Sequence, residues 1–248
     1  QYGLEWIELR GVPGPKKEYA RLPETDVRAA AAELAASGLK VSFLNTSLLK
    51  FAWPGTEPIR RPPGPAEQTR FDRRLDDLGQ AIRAAHLFGV DKIRVFTGTR
   101  VAQPHALFPR IAEVLGEMAR IAEKEKVKLL IENEGSCNVA TGSETAALLE
   151  LLPSKAIGIN WDPLNEASQK EKPFPEGYSL LPKKRIGNVQ IKGKSLLEDA
   201  RRLDWKAIFA ALERDGYTGQ VGLETHYFDG TLIEKSHASI REILRIVS

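Results

Sequence analysis

Four apolar segments in the second half of the chain share one plan. Residues 127–134 (VKLLIENE) form an apolar run that finishes on two acids flanking an amide. Residues 156–162 (AIGINWD), 186–192 (IGNVQIK) and 219–226 (GQVGLETH) repeat the pattern. Short runs rich in Val, Leu and Ile read as strands buried on both faces, so their polar ends must emerge at a rim of the sheet. A helical pattern follows each one. Successive strands therefore deliver Glu132, Asp162, Gln190 and Glu224 to what should be one rim.

The rest of the chain alternates in the same way. Residues 4–10 alternate as a strand does, which puts Glu8 and Arg10 on one face, and the Gly and Pro residues of 11–15 end it. Thr25 or Asp26 is expected to cap a helix carrying Val27, Ala30, Ala31 and Leu34, with a stop at Gly38. Residues 40–45 form the next strand. From Thr46 to Pro65 the chain holds Trp53, Arg60 and Arg61 without helical periodicity. A loop of about twenty residues inside a compact domain is unusual and often functional, so this one is read either as a substrate cover or as a solvated insertion. From Ala66 one helix is expected, with Phe71, Leu75, Leu78, Ile82 and Ala85 on a single stripe and His86 beside it as a packed or surface residue. Residues 92–98 read as a strand, followed by a helix with Ile111, Leu115 and Met118 in the core. Thr141 and Glu144 have capping-box spacing, and Asp204 can cap the helix of Trp205, Ile208 and Leu212. The last helix carries Ile240, Ile243, Leu244 and Val247, and His105 and His237 are expected at the surface.

Strand starts recur every ~30–35 residues for the most part, the repeat of a βα unit. Seven such units predict a (β/α)₈ TIM barrel, α/β in class, with the first strand missing or upstream of Gln1. An open doubly wound sheet is the alternative, but no G-x-G-x-x-G or Walker loop follows any strand. With 248 residues, 42% hydrophobic, residues 1–248 are expected to make a single domain. The net charge of +3, from 36 basic and 33 acidic residues, predicts neither a nucleic-acid nor a membrane partner. No apolar run reaches the roughly 18 residues of a membrane span. The single cysteine, Cys137, cannot form an internal disulfide and fits a reducing compartment, so a cytoplasmic protein is expected. Because the chain starts at Gln1, a removed upstream segment, including a targeting segment, is also compatible with it.

Three carboxylates and an amide gathered in a barrel funnel would repel unless positive charge stood among them, and one divalent metal ion would supply it. Oxygen donors suit Mg²⁺ or Mn²⁺ better than Zn²⁺, which prefers His or Cys. Glu132, Asp162, Gln190 and Glu224 are accordingly the expected metal ligands.

The motifs LIENE (130–134), NWDPLN (160–165), VQIK (189–192) and GLETH (222–226) resemble the sugar phosphate isomerase/epimerase family of xylose isomerase-like TIM barrels. The resemblance runs from Trp6 to the final helix. It implies a single divalent metal held by Glu, Asp, His and Glu from the fifth to eighth strands, here Glu132, Asp162, Gln190 and Glu224. Gln190 departs from the commoner His and leaves the substrate class open. The implied activity is isomerisation or epimerisation of a ketose or related hydroxy-carbonyl compound through an enediolate, with a sugar or keto acid as the small-molecule partner. Loss of a β-hydroxyl would instead give a lyase of the dehydroshikimate dehydratase type, and a binding barrel without turnover is a further alternative. Abasic-DNA endonucleases of the superfamily carry several histidines, whereas this chain has four in all. The pairs Arg60–Arg61 and Arg73–Arg74 do not redress that. A homo-oligomer is compatible with all of these readings.

Glu132 and Glu224, on strands separated by two others, are the expected catalytic acid and base on opposite sides of a substrate. Period-two geometry turns Lys192 and His226 toward the same funnel. Lys192 either polarises a substrate oxygen or pairs with a rim carboxylate; His226 contacts substrate or packs on Trp161 or Tyr227. Arg10, Glu8 and Trp161 complete the expected substrate-binding set, while Glu134, beyond its strand end, ranks below Glu132. Asn133 and Asn165 either stabilise rim turns or bind ligand.

Overall fold

The structure is a computed structural model that describes residues 2–11, 17–60 and 62–248. Residues 12–15 of the predicted Gly/Pro stop, and Arg61, lie outside the described residues.

Among the described residues, seven strands form one all-parallel sheet in chain order: β1 (Trp6–Leu9), β2 (Lys40–Leu48), β3 (Lys92–Val95), β4 (Lys128–Glu132), β5 (Ile157–Trp161), β6 (Ile186–Lys192) and β7 (Val221–Glu224). Parallel neighbours need a crossover between them, and the longer crossovers here are helices: α1 (Glu24–Ala36), α2 (Pro65–Asp72), α3 (Arg74–Phe88), α4 (Phe108–Lys124) and α5 (Gly142–Glu150). The second half continues with the short α6 (Pro163–Ala167), α7 (Tyr178–Leu180) and α8 (Lys194–Leu197), then α9 (Trp205–Arg214) and α10 (Leu232–Val247). The sheet curls into a nearly closed TIM barrel. Among the described residues, β1 and β7 remain edge strands, and a cavity of about 670 Å³ opens at this seam, lined by Trp6, Glu8, Gly222, Ile240 and Leu244 among others. No helix among the described residues is long and apolar enough to cross a membrane.

Strand alternation separates two interiors. Leu129, Ile131, Ile157, Ile159, Trp161, Val189 and Ile191 face the helices and form the main hydrophobic core with Ile111, Leu115 and Met118 of α4. Each such fully buried aliphatic side chain contributes about 1.5–3 kcal/mol relative to exposure. The alternate positions face the barrel axis and, Leu130 apart, are largely polar: Arg94, Glu132, Asn160, Asn188, Gln190 and Lys192 are all buried.

Several local expectations change. The α1 helix starts after Pro23, with Thr25 and Asp26 inside its first turn and no side-chain cap. Proline holds the pre-helical conformation, and the first-turn acids favour the helix dipole without serving as the cap. The helix expected from Ala66 is two helices, broken at Arg73 (φ −84°, ψ 3°), where the Arg74 guanidinium donates to the Phe71 carbonyl at 3.1 Å. β2 runs on to Leu48, and the segment after it is anchored: Phe51 accepts from the Thr99 amide at 2.9 Å, and Trp53, 1% exposed, packs on Phe71. Trp53 is therefore a packing residue of the loop. Asp204 caps α9 through the Ala207 amide, and Thr141 caps α5 through the Glu144 amide.

Candidate active site at the barrel mouth

The C-terminal strand ends bring the nominated residues together in two tiers. In the inner tier, Glu132 at the end of β4 is 1% exposed. Its Oε2 accepts from Arg94 Nη1 at 2.7 Å and Asn160 Nδ2 at 3.1 Å, and its Oε1 accepts from Asn165 Nδ2 at 3.2 Å. The Gln190 carbonyl oxygen accepts from Asn160 Nδ2 at 3.0 Å, and its Nε2 donates to Glu8 Oε2 at 3.0 Å and Asn45 Oδ1 at 3.3 Å. Glu8 also accepts from Asn45 Nδ2 at 2.9 Å and Asn188 Nδ2 at 2.8 Å. One continuous polar network thus runs from Glu8 through Gln190 and Asn160 to Glu132 and Arg94.

The outer tier is centred on Lys192, the last residue of β6. Its Nζ contacts Asp162 Oδ2, donates to Asn165 Oδ1 at 2.9 Å and lies 3.4 Å from Glu224 Oε2. Asp162 follows β5 directly and caps α6, its Oδ1 accepting from the Asn165 amide at 3.0 Å. Asn133 and Asn165 act in the rim turns: Asn133 exchanges hydrogen bonds of 2.8 Å with the Asp162 backbone, and Asn165 Nδ2 donates to the Asn133 carbonyl at 2.9 Å. The Glu224 side chain is 23% exposed and the Glu134 side chain 22%, and Glu134 pairs with Lys50 Nζ at 2.9 Å. The mouth therefore carries two open carboxylates, each with its own lysine.

Burial disfavours every one of these charges, and the partners decide which survive. For Glu224, burial alone would raise the carboxyl, but Lys192 and Arg94 hold it below its ordinary value. Glu134 is likewise held down, by Lys50, against burial. Burial opposes the Lys192 ammonium, yet Asp162, Glu132 and Glu224 outweigh it and keep the lysine above its usual range. Arg94 is raised in the same manner, chiefly by Glu132. Burial pushes the Asp162 carboxyl up to about 6 despite Lys192. Burial thus outweighs the cation at Asp162, whereas the cations prevail at Glu224 and Glu134.

The family model described as xylose isomerase-like TIM barrel matches residues 1–246. The chain belongs to this family. No curated protein sequence matches it. Among solved structures, it resembles the IolI protein with a binding zinc atom (18% identity, TM-score 0.74, covering 100% of this chain and 89% of that one). It also resembles a xylose isomerase-like TIM barrel protein from Mycobacterium smegmatis in complex with magnesium (17% identity, TM-score 0.71, covering 100% and 86%). A third is D-psicose 3-epimerase with D-tagatose from Clostridium cellulolyticum H10 (11% identity, TM-score 0.74, covering 100% and 90%). At these identities the likeness is one of fold.

Against that family background, the donor set of this chain does not fit a divalent metal as it stands. Among the described residues, no three His, Cys, Asp or Glu side chains form a group that could hold one. Asp162 and Glu224 converge on Lys192, Glu132 is engaged by Arg94, and the Gln190 oxygen is taken by Asn160 while its amide nitrogen turns to Glu8. The positive charge that the carboxylates require is supplied by two side chains.

The remaining expected site residues divide. Arg10 is exposed at the rim and, with Lys192, bears electrostatically on Glu224 and His226. His226 adopts φ 61°, which ends the strand alternation, and packs edge-on against Phe228 at 4.9 Å, not on Trp161 or Tyr227. Burial, with Lys192 and Arg10, lowers its pKa, so the imidazole is neutral near pH 7. Glu8 was expected to touch substrate; it lies instead in the inner tier with its oxygens spent on three amides, and burial raises its carboxyl. Trp161 is also no mouth residue: it is 1% exposed and packs on Tyr178 at 5.0 Å, because it stands one position out of phase with Asn160. His86 and His105 sit at the surface, and His237 meets Tyr2 Oη at 2.9 Å.

Arg94, Asn45, Asn160 and Asn188 were missed. The signal was available, since each is a polar residue at an inward period-two position of a strand.

Proposed function

We propose that this protein is an isomerase or epimerase of a ketose or related hydroxy-carbonyl compound, working by proton transfer next to the carbonyl. The observation that carries the reading is the pairing of Glu224, open and ionised, with the Lys192 ammonium 3.4 Å away at the barrel mouth. A carboxylate beside a buried cation can remove a proton α to a carbonyl while the cation stabilises negative charge growing on the carbonyl oxygen. Glu134, on β4's extension across β5 and β6 from Glu224, is the second open carboxylate and is assigned the return of the proton. The role expected for Glu132 passes to Glu134, because Glu132 is 1% exposed and bound by Arg94 in the inner tier, whereas the Glu134 side chain is 22% exposed. Glu132 then acts as a positioning residue for Arg94 and Asn165.

Return of the proton to the opposite face of the same carbon gives epimerisation, and return to the neighbouring carbon gives isomerisation. The epimerase reading is supported by the fold shared with D-psicose 3-epimerase. Arg10 and neutral His226 at the rim are suited to a carboxylate or hydroxyl of the substrate. Dependence on a divalent ion, magnesium or manganese before zinc, is supported by the metal-bearing neighbours and opposed by the donor geometry, so no step is assigned to it.

The test is solvent deuterium exchange into a panel of ketoses, hydroxypyruvate and dehydroshikimate, with and without chelator. Glu224→Gln is expected to lower exchange on the true substrate ~10²–10⁴-fold, the usual contribution of a proton-transfer group. Glu134→Gln is expected to lower product formation more than exchange. Undiminished exchange by Glu224→Gln would overturn the assignment, and loss of water from the substrate would redirect it to a lyase.

A further inference from the structure

Where a hard cation would be expected, this chain places its own. The Lys192 Nζ is surrounded by oxygens of three side chains on two segments: Asp162 Oδ2 and Asn165 Oδ1 at the cap and in the body of α6, and Glu224 Oε2 at the end of β7. Its side chain is 8% exposed and that of Asp162 is 0% exposed, so the pair is desolvated and held in place. Convergent oxygen donors around a dry positive point are the arrangement that binds a hard metal ion. Here the point is an ammonium on a tether. The remaining nominated ligands have turned elsewhere, Glu132 to Arg94 and Gln190 to Glu8, Asn45 and Asn160.

We propose that the Lys192 ammonium is the resident cation of this site and replaces the divalent metal carried by structural neighbours of the chain. The inference rests on the reading of the mouth as the active site, and it deepens that reading by naming the electrophile. A lysine lacks the second charge and the open coordination positions of a metal, so it polarises one substrate oxygen by hydrogen bonding and cannot chelate two. A substrate recognised in this way needs one carbonyl oxygen near Lys192, with its remaining oxygens met by Arg10, His226 and the rim.

Metal binding tests the proposal without reference to turnover. The wild-type chain, titrated with Mn²⁺ and followed by electron paramagnetic resonance of the free ion, is expected to bind no more tightly than about 1 mM, the range of weak oxygen sites. Lys192→Met frees Asp162 and Glu224 and is expected to bind Mn²⁺ at least ~100-fold more tightly, since the ion then relieves their repulsion. Mn²⁺ should correspondingly raise the thermal midpoint of the variant and leave that of the wild type unchanged. Adding Asp162→Asn to Lys192→Met should remove the gain. Stoichiometric micromolar binding by the wild type would overturn the proposal, as would a folded Lys192→Met variant whose affinity is unchanged. If Lys192→Met does not fold, the wild-type titration decides alone. Tight wild-type binding would leave the proton-transfer reading standing, and failure of Glu224→Gln to lose exchange would leave the metal titration interpretable.

Discussion

The inner and outer tiers of the barrel contain the same kinds of residues and differ in what their polar atoms are free to do. In the inner tier, Glu132 and Glu8 have their oxygens consumed by Arg94 and by the amides of Asn45, Asn160, Asn165, Asn188 and Gln190. In the outer tier, Glu224 and Glu134 each meet one lysine and keep part of their surface open. A glutamate becomes scaffold or reagent according to how many donors surround it. Burial and satisfied hydrogen bonding fix the first kind in place, and partial exposure beside a single cation leaves the second kind able to accept a proton.

The contrast breaks most visibly at Arg94. Arg94→Met strands the Glu132 carboxylate at 1–2% exposure without its cation, and is expected to cost about 3–5 kcal/mol in urea unfolding. Adding Glu132→Gln should recover part of that loss. If Arg94→Met proves neutral, the inner tier is not the scaffold described.

A smaller effect is expected where β1 meets β7. A Cβ on Gly222 would lie 1.9 Å from Glu8 Oε1, so Gly222→Ala must displace that carboxylate from its three amides. Overpacking of this kind costs about 1–3 kcal/mol, readable as a lowered denaturation midpoint with an unchanged denaturant slope.

The outer tier should tolerate what the inner one does not. Glu224→Gln removes a partly exposed ion pair and is expected to change stability by less than about 1 kcal/mol, even as it lowers proton exchange. A loss as large as that of Arg94→Met would erase the distinction between the tiers.

The smallest effect concerns Cys137, which is fully buried and whose thiol burial pushes up to about 12. Raising the pH to 8.5 leaves a thiolate fraction below ~10⁻³, so a thiol reagent should label the native chain negligibly and the urea-unfolded chain fully. Rapid native labelling at that pH would mean that the turn beside Glu134 opens far more readily than the inner tier.

The tiers were unequally legible in the sequence. Apolar runs that end abruptly in acids mark strand ends, which is why Glu132, Asp162, Gln190 and Glu224 stood out and why the parallel barrel followed from their spacing. Lys192 was found by counting two residues on from Gln190, and pairing with a rim carboxylate was one of its two readings. What such counting lacked was the partner across the barrel. Arg94 lies 38 residues before Glu132 and looks, in its own strand, like an ordinary charged interruption. In the structure Arg94 and Lys192 stand among the carboxylates for which a divalent metal was the expected cation. Trp161 shows the reverse case, since strict alternation from Asn160 already pointed it toward the helices. The break at Arg73 had no proline or glycine to announce it, and the anchoring of Trp53 depends on Phe71 in the following helix.

One consequence follows from the line along which the staves fail to lace. Glu8 looks outward into the 670 Å³ cleft between β1 and β7, and inward it grips Asn45, Asn188 and Gln190. Anything wedged into that cleft would press on the hinge pin of the whole inner lattice. A push at the flank of the cylinder would then bear, amide by amide, on Gln190, Asn160 and Glu132.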